Sequence, residues 1–195
     1  VHAIGERPAA TVLGLVEEAE RFIGRAPTVV ALELLGGKAQ ALALAGRHTE
    51  AEKSLVQLRG RFSAAPSNGY SGSLLAWGEE RLHNTESFTY SRLGDDRNAE
   101  EAQRAASALY KDDPSNLRWP AGVEMNRAYC RVRNGDVTDG LAHAREIVTG
   151  LPAAHQTRGL FIHGRDVLNA VPEAERDRPV VSEYREWLNS AFSTA

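Results

Sequence analysis

The 195-residue sequence has one cysteine, one methionine and only 7% aromatic residues. A lone Cys130 cannot close an internal disulfide, which suits a reducing compartment and a cytoplasmic setting. No apolar run approaches the roughly 20 residues of a membrane span, and no secretory signal is visible. No stretch alternates β-branched and polar residues, and no Asn-Gly pair joins two such runs, so strands are not expected. A basic excess is also missing. The formal net charge of -3 argues against a free-standing nucleic-acid binder. There is no H-E-x-x-H, no P-loop and no G-x-G-x-x-G after a strand. Neither an enzyme, a cofactor nor a metal is therefore expected. Residue 1 is Val rather than Met, which is compatible with a piece of a longer polypeptide.

What is present favours helix: Ala, Leu, Glu and Arg dominate. Residues 8–23 place Val12, Leu15, Val16, Ala19, Phe22 and Ile23 on one stripe, a helical period. A break at 25–27 precedes a helix over 28–45, in which Gly36 and Gly37 are weak points, and Gly46 ends it. Thr49 and Glu52 have the T-x-x-E spacing of a capping box, with Leu55 and Leu58 continuing the face toward Phe62. Residues 64–72 read as the clearest loop. Helices are then expected over 73–93, from a cap at Asn98 and Glu101 to Tyr110, as a pair over 120–152 divided at Asn134-Gly135, over 155–170 and over 179–192. Asp112-Asp113-Pro114 and Val171-Pro172 are terminators. One domain over 1–195 is expected, with an N-terminal layer (1–64), a middle section (73–152) and C-terminal capping helices (153–195).

The segment 125–152 organises this reading. Gly135 stops one helix by tolerating the left-handed conformation, Asp136 is placed to cap the next, and Pro152 closes the unit. Small Ala128 and Gly140 suit a close helix crossing. Moving back 38 residues takes Pro152 to Pro114, Ile147 to Leu109, Ala144 to Ala106 and Gly140 to Ala102. Moving back 89 takes Ala128 to Ala39, Gly135 to Gly46, Gly140 to Ala51 and Ala144 to Leu55. A hairpin of this kind cannot bury its apolar stripe alone and must stack on neighbours.

Residues with chemical potential are sparse. His143, His155 and His163 lack the i, i+4 spacing of a zinc-binding helix and read as polar surface groups. Cys130 has no nucleophile motif around it and reads as a buried thiol. Glu79-Glu80 and Asp95-Asp96 are adjacent and so do not face one another on a helix; the second pair suits a turn and cap. Trp77, Trp119 and Trp187 read as packing between helices.

The segment 125–152 resembles a tetratricopeptide repeat, whose prototype is about 34 residues long. That resemblance implies an all-α, right-handed α-solenoid of antiparallel helix hairpins. It also implies a concave wall formed by the first helix of each hairpin. Projected onto this sequence, the wall comprises Asn84, Ser87, Phe88 and Ser91, then Met125, Tyr129 and Arg133, then Arg158, Phe161 and Arg165. Such a wall suits a peptide, a small metabolite or a protein partner. Arg133 would take a carboxylate in bidentate fashion, and Asn84 a peptide backbone. The strings LGDDRNAEEAQRAASALY, NRAYCRVRNGDVTDGLAHA, LP-x-x-HQTR and VLNAVPEAERDRPVVSEYREWL resemble the C-terminal sensor region of actinobacterial Xre-type transcriptional regulators. The resemblance covers over half the chain. It implies a regulatory module, with homodimerisation as an option and no DNA contact of its own, since no helix-turn-helix precedes Ala26. A static scaffold without a small ligand is the alternative.

Overall fold

Helix-forming composition is realised throughout the computed structural model, which describes residues 7–23, 28–64, 77–111 and 117–194. Among these residues there are nine α-helices and no strand. They are α1 (Ala9–Glu20), α2 (Val29–Leu44), α3 (His48–Ser63), α4 (Glu79–Leu93), α5 (Asp96–Tyr110), α6 (Arg118–Arg133), α7 (Val137–Thr149), α8 (Arg158–Asn169) and α9 (Pro179–Thr194). The expected break at 25–27, the terminator at 112–114, the loop beyond Ala64 and the helix start at Ser73 lie outside the described residues. Within α5 the chain divides into two compact units, Val1–Ala106 and Ser107–Ala195.

In the first unit α2 is central, packed by α1, α3 and α4. This explains its composition: with neighbours on several sides, it buries Leu32, Leu35, Ala39, Ala41, Leu42 and Ala43 and shows little polar face. Thr28 caps it by accepting the Ala31 amide at 3.2 Å. Gly36 is a fitted position rather than a weak point, because a β-carbon there would come 3.2 Å from Trp77 Cζ2. Trp77 itself precedes α4 instead of lying inside it. Its buried ring packs on Phe62 and under the Arg81 guanidinium. The α1 stripe is narrower than its periodicity suggests. Val12, Leu13 and Val16 are buried, while Leu15 and Phe22 are exposed, Phe22 by 84%.

In the second unit α6 packs on α7 and α8, and α9 packs on α7 and α8. Met125, Leu141, Val148, Phe161, Tyr184 and Leu188 lie in one continuous core. Gly164 brings α8 onto α9: a β-carbon there would stand 3.1 Å from the Tyr184 hydroxyl, which donates to the Gly164 carbonyl at 3.2 Å. Short 3-10 turns at Ala153–His155 and Glu173–Glu175 replace the first residues of the expected 155–170 helix and lead into α9.

Three hairpins share one turn. Gly46, Gly94 and Gly135 are the described glycines with positive φ, at 69°, 81° and 93°. After each, the next amide reaches back five residues: Arg47 to Leu42 O, Asp95 to Tyr90 O and Asp136 to Arg131 O, at 2.9, 3.1 and 3.0 Å. This closes each first helix with a left-handed glycine and satisfies its end carbonyls. Counting from the glycine aligns the packing. Seven residues before it stand Ala39, Ser87 and Ala128, and five after it Ala51, Ala99 and Gly140, all buried. The glycines at 46 and 135 are the expected 89-residue match. The expected 38-residue register is corrected to 41, the distance from Gly94 to Gly135. A slip of three residues keeps a helix on nearly the same face, which is why small residues still matched.

Three caps also differ from expectation. α3 begins at His48, with Arg47 before it, so Thr49 is already inside the helix and the T-x-x-E box does not form. Arg47 instead pairs with Glu50 at 2.5 Å. For α5 the cap is Asp95, which accepts the Asn98 amide at 3.1 Å, not Asn98 with Glu101. Asp136 stands at the start of α7 but turns its carboxylate to Arg131, at 2.6 Å.

Candidate functional site

On α4 an unbroken run from Thr85 to Ser91 is buried. Three of its hydroxyls are satisfied within the helix: Thr85 donates to Arg81 O, Thr89 to Thr85 O and Ser91 to Ser87 O, at 2.9, 2.8 and 2.7 Å. Gln103 of α5 donates to Ser91 Oγ at 3.4 Å. Ser87 and Ser91 are thus interior residues and offer no surface to a ligand. In the glycine frame Ser87 is the small residue of the crossing, equivalent to Ala39 and Ala128. The three-residue slip is what had placed it on the wall. Phe88 is buried as well, with the Arg92 guanidinium 3.9 Å from its ring centroid. Asn84 is half-buried.

On α6 Met125 is fully buried, while Tyr129 and Arg133 are half-buried. Arg133 donates to Asn134 Oδ1 at 3.4 Å. In the 41-residue register Tyr129 and Arg133 correspond to Phe88 and Arg92. An aromatic followed four residues later by arginine therefore recurs on one helix face in both hairpins. Arg92 was missed by the sequence reading; aligning Gly94 with Gly135 would have found it. Cys130 is only partly buried.

On α8 the structure does bring the expected residues together. Phe161 is buried and meets Phe192 of α9 edge-on, with centroids 6.1 Å apart. The guanidinium carbons of exposed Arg158 and Arg165 stand 5.4 and 5.2 Å from the same Phe192 ring. Neighbouring Arg145 of α7 lies 5.4 Å from the Trp187 ring.

The densest polar constellation was not singled out from sequence. Glu86 of α4 has a side chain only 6% exposed and receives Arg59 Nε of α3 at 2.5 Å. His83 Nδ1 stands 2.9 Å from the other Glu86 oxygen, and Arg59 Nη2 donates to the Tyr90 hydroxyl at 2.8 Å. Burial pushes the Glu86 pKa up, but the His83 hydrogen bond and the Arg59 charge outweigh it and leave it lowered. The hydrogen bond to Glu86 raises that of His83 against burial. An acid held ionised by Arg59 and by the His83 hydrogen bond fastens α3 to α4; lowering its pKa moves it away from the range of a general acid at neutral pH. Its sequence signal was the i, i+3 pairing of His83 with Glu86.

In the second unit His143 Nε2 lies 3.4 Å from Glu124 Oε2 across α6 and α7. Beside it Arg131, Asp139, Ala142 and Glu146 border an open depression of about 290 Å³. Trp119 is 39% exposed. Among the described residues no three His, Cys, Asp or Glu side chains gather as metal ligands would, and no helix is long and apolar enough to cross a membrane. Comparison with protein-family models, with curated proteins and with solved structures finds no match.

Proposed function

We infer that the chain is a non-catalytic, tetratricopeptide-like sensing and protein-interaction module, a right-handed solenoid of hairpins belonging to a bacterial transcriptional regulator in the cytoplasm. The observation that supports this reading is the thrice-repeated frame of helix, left-handed glycine and helix, with buried small residues seven before and five after the glycine. Repeated hairpins of this kind bury their faces against one another and leave an extended surface for ligands. The residues with polar groups still at the surface are Asn84, Tyr129, Arg133, Arg158 and Arg165. They are suited to a peptide or small metabolite that offers backbone amides and carboxylates. The net charge of -3 and the lack of a recognisable helix-turn-helix favour a regulatory role without DNA contact.

The test is a thermal-shift screen of the purified chain against short peptides and metabolites, followed by titration of each hit. The reading expects saturable stabilisation that weakens in folded Tyr129→Ala and Arg133→Ala variants. A stable protein partner with no small-ligand response would favour a static scaffold. Sequence-specific DNA binding by the chain alone would contradict the reading.

A further inference from the structure

Three arginines of the second unit are matched to carboxylates. Arg127 pairs with Glu124, Arg131 with Asp136 and Asp139, and Arg178 with Glu175. Arg158 and Arg165 are held in another way. Both approach the single Phe192 ring, and neither has an acidic partner among the described residues. Two like charges sharing one ring repel one another, and a bound anion would relieve that repulsion. The ring attracts the guanidinium groups and limits their freedom, while their N–H groups can still donate. Immobilising donors before the ligand arrives reduces the entropy lost on binding.

We propose that Arg158 and Arg165, ordered against Phe192, form a docking point for a carboxylate-bearing segment of an acidic peptide. This rests on the reading of the chain as a binding module and names the partner chemistry of its α8–α9 end. A guanidinium fork also fits phosphate. A nucleic acid is disfavoured because two cations on one ring cannot follow the regularly spaced phosphates of its backbone. Half-buried Ile162 lies between the two arginines in sequence and adds apolar surface to the same helix turn.

The experiment measures fluorescence anisotropy of a fluorescein-labelled pentaglutamate peptide with the full chain in low-salt buffer. Pentalysine and a short single-stranded oligonucleotide are the comparison probes. Saturable pentaglutamate binding is expected. Arg158→Gln and Arg165→Gln should each weaken it about ten-fold, the scale of a lost charge-assisted hydrogen bond. Arg104→Gln, an exposed arginine of the first unit with the same change in charge, should leave it unchanged. Circular dichroism melts establish that each variant is folded. Equal affinity in wild type and both α8 variants overturns the proposal, as does an equal loss in Arg104→Gln or tighter binding of the oligonucleotide. A peptide bound through Tyr129 and Arg133, with no effect of the α8 variants, overturns this proposal alone and keeps the module reading.

Discussion

Gly140 of α7 stands so close to Val132 of α6 that a β-carbon on it would lie 2.5 Å from Val132 Cγ2 and 3.3 Å from the Ala128 carbonyl. The hairpin can close at this distance because Gly140 has no side chain. Gly140→Leu should overpack the crossing and lower unfolding free energy by roughly 1–3 kcal/mol. Urea denaturation followed by circular dichroism reads this directly. An unchanged midpoint would mean that the two helices cross elsewhere.

Glycines at turns and glycines within helices should respond oppositely to alanine. Gly94 and Gly135 have φ of 81° and 93°, where a β-carbon costs about 1–2 kcal/mol. Gly60 lies inside α3 with open space around it. Gly60→Ala should stabilise by about 0.5–1 kcal/mol through helix propensity and the loss of unfolded-chain freedom. Melting temperatures of the three variants should fall on either side of wild type in that order. Stabilisation by Gly94→Ala or Gly135→Ala would contradict the turn assignment.

The Arg59–Glu86–His83 network should impose a pH dependence on stability. The His83 pKa is raised from its ordinary 6.5. Its contribution is therefore complete below that value and is lost as pH rises through the higher folded value. The Glu86 pKa is lowered from its ordinary 4.5. Its contribution is complete above that value and is lost as pH falls through the lower folded value. Both are present between 4.5 and 6.5. Urea midpoints should decline on the alkaline side of this window in wild type and decline less in His83→Gln. Parallel profiles for the two proteins would remove His83 from the network's energetics.

Much of this architecture was legible because its signals are local. Gly46 and Gly135 mark turns whose conformation few other residues accept, so the 89-residue match holds. Thr28 caps α2 through a contact only three residues long. Less visible were choices between neighbouring positions on one helix. The middle hairpin was placed three residues out of register because Ala99, Ala102 and Ala106 are all small and all buried. That slip moved Ser87 and Ser91 to the wall and hid the correspondence of Arg92 with Arg133. The Arg59–Glu86 pair was not legible, since its partners lie 27 residues apart on different helices. The pairing of Arg158 and Arg165 with Phe192 likewise depends on how α9 returns across α8.

The shared hairpin frame is tested most directly by the urea midpoint of Ser87→Leu. In the 41-residue register Ser87 occupies the crossing, equivalent to Ala39 and Ala128, and is fully buried. The larger side chain should then lower unfolding free energy by roughly 1–3 kcal/mol, as overpacking of a close helix contact does. A midpoint equal to or above that of wild type would place Ser87 on an open wall, contradicting the common frame on which the proposed repeat module rests.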